Sequence, residues 1–254
     1  MRKDAITSLL AVVALTVLLG VVYPLLVTGV SQVAMPGRAD GSVLERDGRA
    51  VGSTLIGQDF RRAAVGADGE PRLDADGEPV LVADSRYFQS RPSVTGYAPD
   101  ATAFSNLGPN GRDTKAAIDQ NVAAYLALEK PYDPDLTVGR IPVDAVTDSA
   151  SGVDPQISRA NARIQARRVA KVRGLPLDRV LTAIDDHTAG RGLGVLGEPG
   201  VNVLQLNLAL DGSRGSTASI PRGTAGGATA APSPVRVGGA TSTGTTSTTT
   251  GSTR

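Results

Sequence analysis

Asp144, Asp148 and Asp154, interleaved with Thr147, Ser149 and Ser151, form the densest set of oxygen ligands in the sequence. Hard oxygen donors at that spacing suit a cation or a phosphate-bearing group, and Ser151, Gly152 and Asp154 are the candidate ligand-binding residues. The same residue types ahead of a helix cap are also ordinary loop chemistry, which is the commoner meaning. Gly192-Leu-Gly-Val-Leu-Gly197 matches G-x-G-x-x-G, a pattern that meets a pyrophosphate only when it follows a strand and opens a helix. Here a helix is expected before it and a strand after it, so a flexible connector is the expectation. Arg159, Arg163, Arg167 and Lys171 recur at four-residue steps and form one basic helix edge, either a solvated face or a contact for an acidic partner or phosphate headgroups. His187 stands beside Asp185 and Asp186 with no plausible nucleophile near it, so capping or solvent exposure is favoured over a triad.

Composition narrows the chemistry further. One histidine and no cysteine among 254 residues remove zinc-finger, iron–sulfur, disulfide and Cys/His nucleophile chemistry. No catalytic residue is assigned. With 26 basic against 25 acidic residues, the formal charge of +1 gives no reason to expect nucleic acid as partner. Asp74-Ala-Asp76-Gly77 begins like a calcium loop, yet it lacks the closing glutamate and flanking helices, so no metal is expected.

These residues need elements to position them. The spacing of Ile118, Val122, Tyr125 and Leu126 predicts a helix over 114–129, stopped by Pro131. Ile141 to Thr147 reads as a strand. Ser158 is a plausible N-cap for a helix to Arg173 with Gly174 as its stop, and Pro176 opens another helix through Val180, Leu181 and Ile184 to His187. In Val201 to Leu210, the alternation of Leu204, Leu206, Leu208 and Leu210 predicts a half-buried strand. Earlier, Ala67-Asp-Gly-Glu-Pro-Arg-Leu73 is duplicated as Ala75-Asp-Gly-Glu-Pro-Val-Leu81. This 67–81 insertion predicts a hairpin or two successive turns.

The termini differ from this middle. No charge occurs between Asp4 and Arg38, and Ala5 to Val30 is nearly all apolar, longer than the roughly 20 residues that cross a hydrocarbon core. A single transmembrane helix over 5–30 is expected. Arg2 and Lys3 precede it, so the positive-inside rule leaves residues 1–4 cytoplasmic and 31–211 extracytoplasmic. A cleaved signal is the rival, but the apolar core is too long and lacks Ala-x-Ala. Residues 212–254 are rich in Thr, Ser and Gly with almost no large apolar side chain, and are expected to be disordered. The fold class is therefore α+β: one anchor, one extracytoplasmic domain, one tail. From composition and pattern alone, an envelope-anchored binding module fits as well as any other function.

A series of motifs is more specific. Tyr23-Pro-Leu-Leu-Val-Thr-Gly29, Gly52-Ser-x-Leu-Ile-Gly-Gln-x-Phe60, Tyr87-Phe-x-x-Arg-Pro-Ser93, Ser105-Asn-Leu-Gly-Pro109, Pro142-Val-Asp-x-Val-Thr147, Ser151-Gly-x-Asp-Pro-x-Ile-Ser158, Arg168-Val-Ala170 and Val201-Asn-Val-Leu-x-Leu-Asn-Leu-Ala-Leu210 run in order along the chain. Together they resemble the C subunit of the Kdp potassium-transporting ATPase. The resemblance implies a plasma-membrane complex with a channel-like potassium-binding subunit, a P-type ATPase subunit that hydrolyses ATP, and a small accessory peptide. It implies a non-catalytic role, described in that family as a catalytic chaperone that raises the nucleotide affinity of the ATPase subunit. Two roles stay open: packing over the potassium entrance, or helping to hold ATP, which Ser151, Gly152 and Asp154 could do only jointly with the ATPase subunit. Departures from the family are Asn110-Gly-Arg-Asp113 in place of Ser-Asn-Pro, the 67–81 duplication and the tail. Tyr87, Arg91 and Ser93 are the expected partner-docking residues, because an arginine fork beside an aromatic is a common interface anchor. The competing expectation is that Arg91 ties down a turn inside the domain.

Overall fold

The structure, a computed structural model, describes residues 2–212. The expected disordered tail, apart from Gly212, lies outside the described residues. One helical rod opens the chain: α1 (Arg2–Val17), a π-helical turn at Leu18–Val22, and α2 (Tyr23–Ala34). The π turn has a local cause. Pro24 has no N–H, and its ring would collide with the carbonyl four residues back, so the ladder widens and the Tyr23 N–H donates to Leu18 O. Every residue described in this rod is exposed except Ser31, as expected of a helix whose apolar partners are not part of its own chain.

A short α3 (Pro36–Ala39) leads to the antiparallel hairpin β1 (Val43–Arg46) and β2 (Arg49–Ser53). β3 (Arg61–Ala63) pairs antiparallel with β4 (Leu81–Ala83), and the Asp-Gly duplication forms two successive turns between them. The Gly66 N–H donates to Glu70 O and, eight residues later, the Asp74 N–H donates to Glu78 O, both at 2.8 Å. Equal sequences have made equal turns.

Most of the packed core lies beyond residue 110, with Phe60, Tyr87 and Phe88 joining it from the first half. α4 (Arg112–Glu129) places Ile118, Val122, Tyr125 and Leu126 against Leu136, Ala145 and Val146. β5 (Gln156–Ser158) precedes α5 (Arg159–Arg173), and the Ser158 hydroxyl caps that helix by accepting the Asn161 N–H at 3.1 Å. α6 (Leu177–Asp186) returns the chain to β6 (Thr188–Ala189), and β7 (Gly200–Asn202) pairs antiparallel with both β5 and β6 in the order β5-β7-β6. α7 (Val203–Gly212) closes the described chain. Ile157 and Val201 of this small sheet pack with Ala166 and Val169 of α5, Ile184 of α6 and Leu206 of α7, together with Tyr87 and Phe88.

Two expected strands are corrected. The stretch 201–210 is a strand only to Asn202; from Val203 it is helix, burying Val203, Leu206, Asn207, Leu210 and Asp211 at helical spacing. Asn207 and Asp211 occupy that buried stripe, so a count of apolar residues alone saw only alternating leucines. The stretch 141–147 is not a strand either. Pro142 cannot donate to a ladder, and the chain makes two 3-10 turns, at Val138–Arg140 and Val143–Ala145.

Candidate functional site

The segment 87–97 threads between the helices and the 147–154 loop, and two polar clusters hold it. The first is a stripe along α5. Gln165 acts as a surrogate strand for Gln89, accepting its N–H at 2.7 Å and donating to its carbonyl at 3.1 Å. Asn207 of α7 does the same for Phe88, at 2.9 and 3.0 Å. Arg168, with no exposed side-chain surface, donates to Glu129 Oε1 (2.9 Å), Ser85 O (2.6 Å), Tyr87 O (2.9 Å) and Gln165 Oε1 (2.9 Å). Asn161 joins this stripe to Tyr125 and to Asp144, whose carboxylate also accepts the Ser158 N–H at 2.8 Å. Burial raises the Glu129 carboxyl above its ordinary value, with Arg168 opposing, and burial also raises the Tyr125 phenol.

The second cluster is a clasp between two loops. Arg91 donates to Asp154 Oδ2 at 3.0 Å, to Thr147 Oγ1 at 3.2 Å and to Asp148 O at 3.1 Å. The Ser93 hydroxyl donates to Gly152 O at 2.6 Å, the Ser149 N–H to Pro92 O at 2.8 Å, and the Tyr97 hydroxyl to Arg91 O. Ser151 donates to Asp154 Oδ1 at 3.2 Å, while Ser149 Oγ accepts the Gly152 N–H at 3.0 Å. Glycine is required twice here. Gly152 has φ +78, and a Cβ there would fall 2.5 Å from Thr95 Oγ1; one on Gly57 would fall 2.4 Å from Asp154 O.

The expected ligand-binding residues Ser151, Gly152 and Asp154 therefore meet two of the expected docking residues, Arg91 and Ser93. Tyr87 is apart from them. It is 2% exposed in the core, 5.8 Å from Phe60 between ring centroids, with the guanidinium carbons of Arg86 and Arg173 at 5.6 and 5.7 Å from its ring centroid. The three aspartates do not converge, since Asp144 serves the α5 cap and Asp154 the clasp, and among the described residues no group of His, Asp and Glu is placed to hold a metal. His187 Nδ1 lies 2.8 Å from Ala183 O, a helix-end contact. The glycine pattern 192–197 forms an exposed hairpin between β6 and β7, closed by Arg191 on Glu198 and opening no helix. On the basic edge, Arg159 and Arg163 share Asp185, and Arg167 shares Asp133 with Arg140. Sequence reasoning missed Asn161, Gln165 and Asn207. Their signal was a polar amide on the helical stripe that otherwise carries the core.

The structure thus joins one helix long and apolar enough to cross a membrane to a small mixed helix–sheet domain whose polar loops are locked onto one another. The chain belongs to the family of K+-transporting ATPase c chains, KdpC, whose profile matches residues 5–212. A relative from Methylibium petroleiphilum, a potassium-transporting ATPase KdpC subunit, is 48% identical over 210 residues, covering 82% of this chain and 96% of its own. Relatives of the same name from Mycobacterium tuberculosis and Koribacter versatilis are 44% and 41% identical, covering 83% and 84% of this chain and 99% and 97% of their own. The family read from the ordered motifs is the family found.

Proposed function

We propose that the chain is the membrane-anchored, non-catalytic subunit of an ATP-driven potassium uptake complex. Its helix crosses the plasma membrane with the N-terminus in the cytoplasm, and residues 31–211 lie outside. There the domain packs on a channel-like potassium-binding subunit, beside a P-type ATPase subunit that hydrolyses ATP and a small accessory peptide. Membership of the c-chain family over residues 5–212 carries this reading. Sidedness is supported by Arg2 and Lys3 at the start of the helix and by the balance of Arg38 and Asp40 after it.

The chaperone effect on nucleotide affinity then works through subunit contacts. Direct contact with ATP is disfavoured, because cytoplasmic nucleotide is across the membrane and because the Ser151, Gly152 and Asp154 groups already bind Arg91, Ser93 and one another. Arg91 acts in docking by positioning the two loops that form the contact face. The test is co-purification of the full chain with the other subunits, alongside ATP binding by the chain alone. Co-purification without ATP binding supports the reading. Tight ATP binding by the chain alone overturns it.

A further inference from the structure

Where the helix ends, the chain folds back on itself and leaves an open-sided concavity of about 390 Å³ between α3, the start of β1 and the end of β2. Its apolar walls are Met35, Pro36, Val43 and Leu44. Its polar lining residues are Arg38, Ser42 and Thr54, none of which has a side-chain hydrogen bond or ion pair among the described residues. Among the described residues no acidic side chain lines it. The neighbouring carboxylate, Asp40, is tied back to the helix by Gln32 Nε2 at 2.8 Å. Ser42 stands in the left-handed region at φ +50, a conformation serine rarely adopts.

Position gives this concavity its occupant. The rod from Arg2 to Ala34 is 33 residues, about 50 Å at 1.5 Å per residue, which matches the roughly 40–45 Å of a bilayer with both headgroup layers once a tilt is allowed. With Arg2 and Lys3 in one headgroup layer, Met35 to Arg38 emerge in the other. Val33, Met35, Val43 and Leu55 are exposed apolar side chains at the same end of the molecule, at 88%, 48%, 51% and 58%.

We infer that this concavity is a phospholipid site, taking one lipid of the leaflet in which the helix ends, with the phosphate on Arg38 and the chains against Met35, Pro36 and Val43. A guanidinium with two hydroxyls matches a phosphodiester, and an apolar wall beside it matches the acyl chains that accompany that phosphate in a membrane. The lipid would seat the domain at a fixed angle to the bilayer. The inference rests on the anchored reading above.

The test is native mass spectrometry of the full chain in detergent, titrated with phosphatidylglycerol, phosphatidylcholine, diacylglycerol or inorganic phosphate. Both phospholipids should give one saturable adduct, and diacylglycerol and inorganic phosphate should not. Arg38→Gln and Val43→Asn, both exposed and outside the core, should each weaken that adduct about tenfold while leaving the circular dichroism spectrum unchanged. Equal retention by the Arg38→Gln variant, or of diacylglycerol, would overturn the inference, as would inorganic phosphate displacing the lipid. A chain released from membranes by an alkaline wash without detergent would instead sink the anchored reading itself.

Discussion

The α5 stripe and the loop clasp use the same pieces, an arginine, a carboxylate and backbone carbonyls, yet water reaches them differently. Arg168 and Glu129 have 0% and 1% of their side-chain surface exposed, while Arg91 and Asp154 keep 26% and 33%. In the stripe, each polar group has lost its water and depends on its partner, so removing one member strands the rest. At the Arg91–Asp154 pair of the clasp, solvent can replace a lost partner, and the Coulomb term is screened. The stripe therefore sets whether the domain folds, and the clasp sets where two surface loops stand. The clasp can therefore be altered without unfolding what lies beneath it.

Substitutions should separate the two. Arg168→Ala leaves the buried Glu129 carboxyl without its counter-ion and should lower the unfolding free energy of the full chain by about 3–5 kcal/mol, read by urea denaturation in detergent. Asn207→Leu leaves the Phe88 N–H and carbonyl unpaired in the core and should lower it by about 2 kcal/mol. Arg91→Ala should lower it by only about 1 kcal/mol, a difference that shrinks in about 0.5 M salt, whereas the Arg168 effect should not. A loss of the Arg168 size at Arg91 would erase the distinction.

The smallest effect is a pH slope. The Glu129 carboxyl is raised in the folded state, chiefly by burial, so the folded chain holds that proton more tightly than the unfolded chain. Its contribution is fully present below the ordinary glutamate value and is lost as pH rises through the raised one. Melting temperatures followed from about pH 4 to 7 should show this decline in the wild type and a flatter profile in Glu129→Gln, which has no proton to lose. A decline of equal size in both would show that other groups set the slope.

Local signals in the sequence were reliable where one residue decides the outcome. Ser158 caps α5, α4 ends at Glu129 ahead of Pro131, and the Asp-Gly repeats turn twice. They failed where a polar residue does apolar duty. Asn207 and Asp211 complete the buried stripe of α7, while Leu204, Leu206, Leu208 and Leu210 alternate in the sequence like a strand. Long-range partners carried no local mark. Arg91 and Asp154 are 63 residues apart and Arg168 and Ser85 are 83 apart, and no periodicity links either pair. Ser151, Gly152 and Asp154 were picked for their chemistry, which is what makes them good clasp partners for Arg91 and Ser93.

On the proposed reading, the folded domain stands outside the membrane and acts by contact. Protease added to intact cells or right-side-out vesicles, followed by detection of tags at each end of the chain, tests it most directly. External protease should remove the domain and the C-terminal tag while a membrane-held fragment containing residues 5–30 keeps the N-terminal tag. A domain that resists external protease and is digested only after the membrane is breached would contradict it and return residues 31–211 to the side where ATP is found.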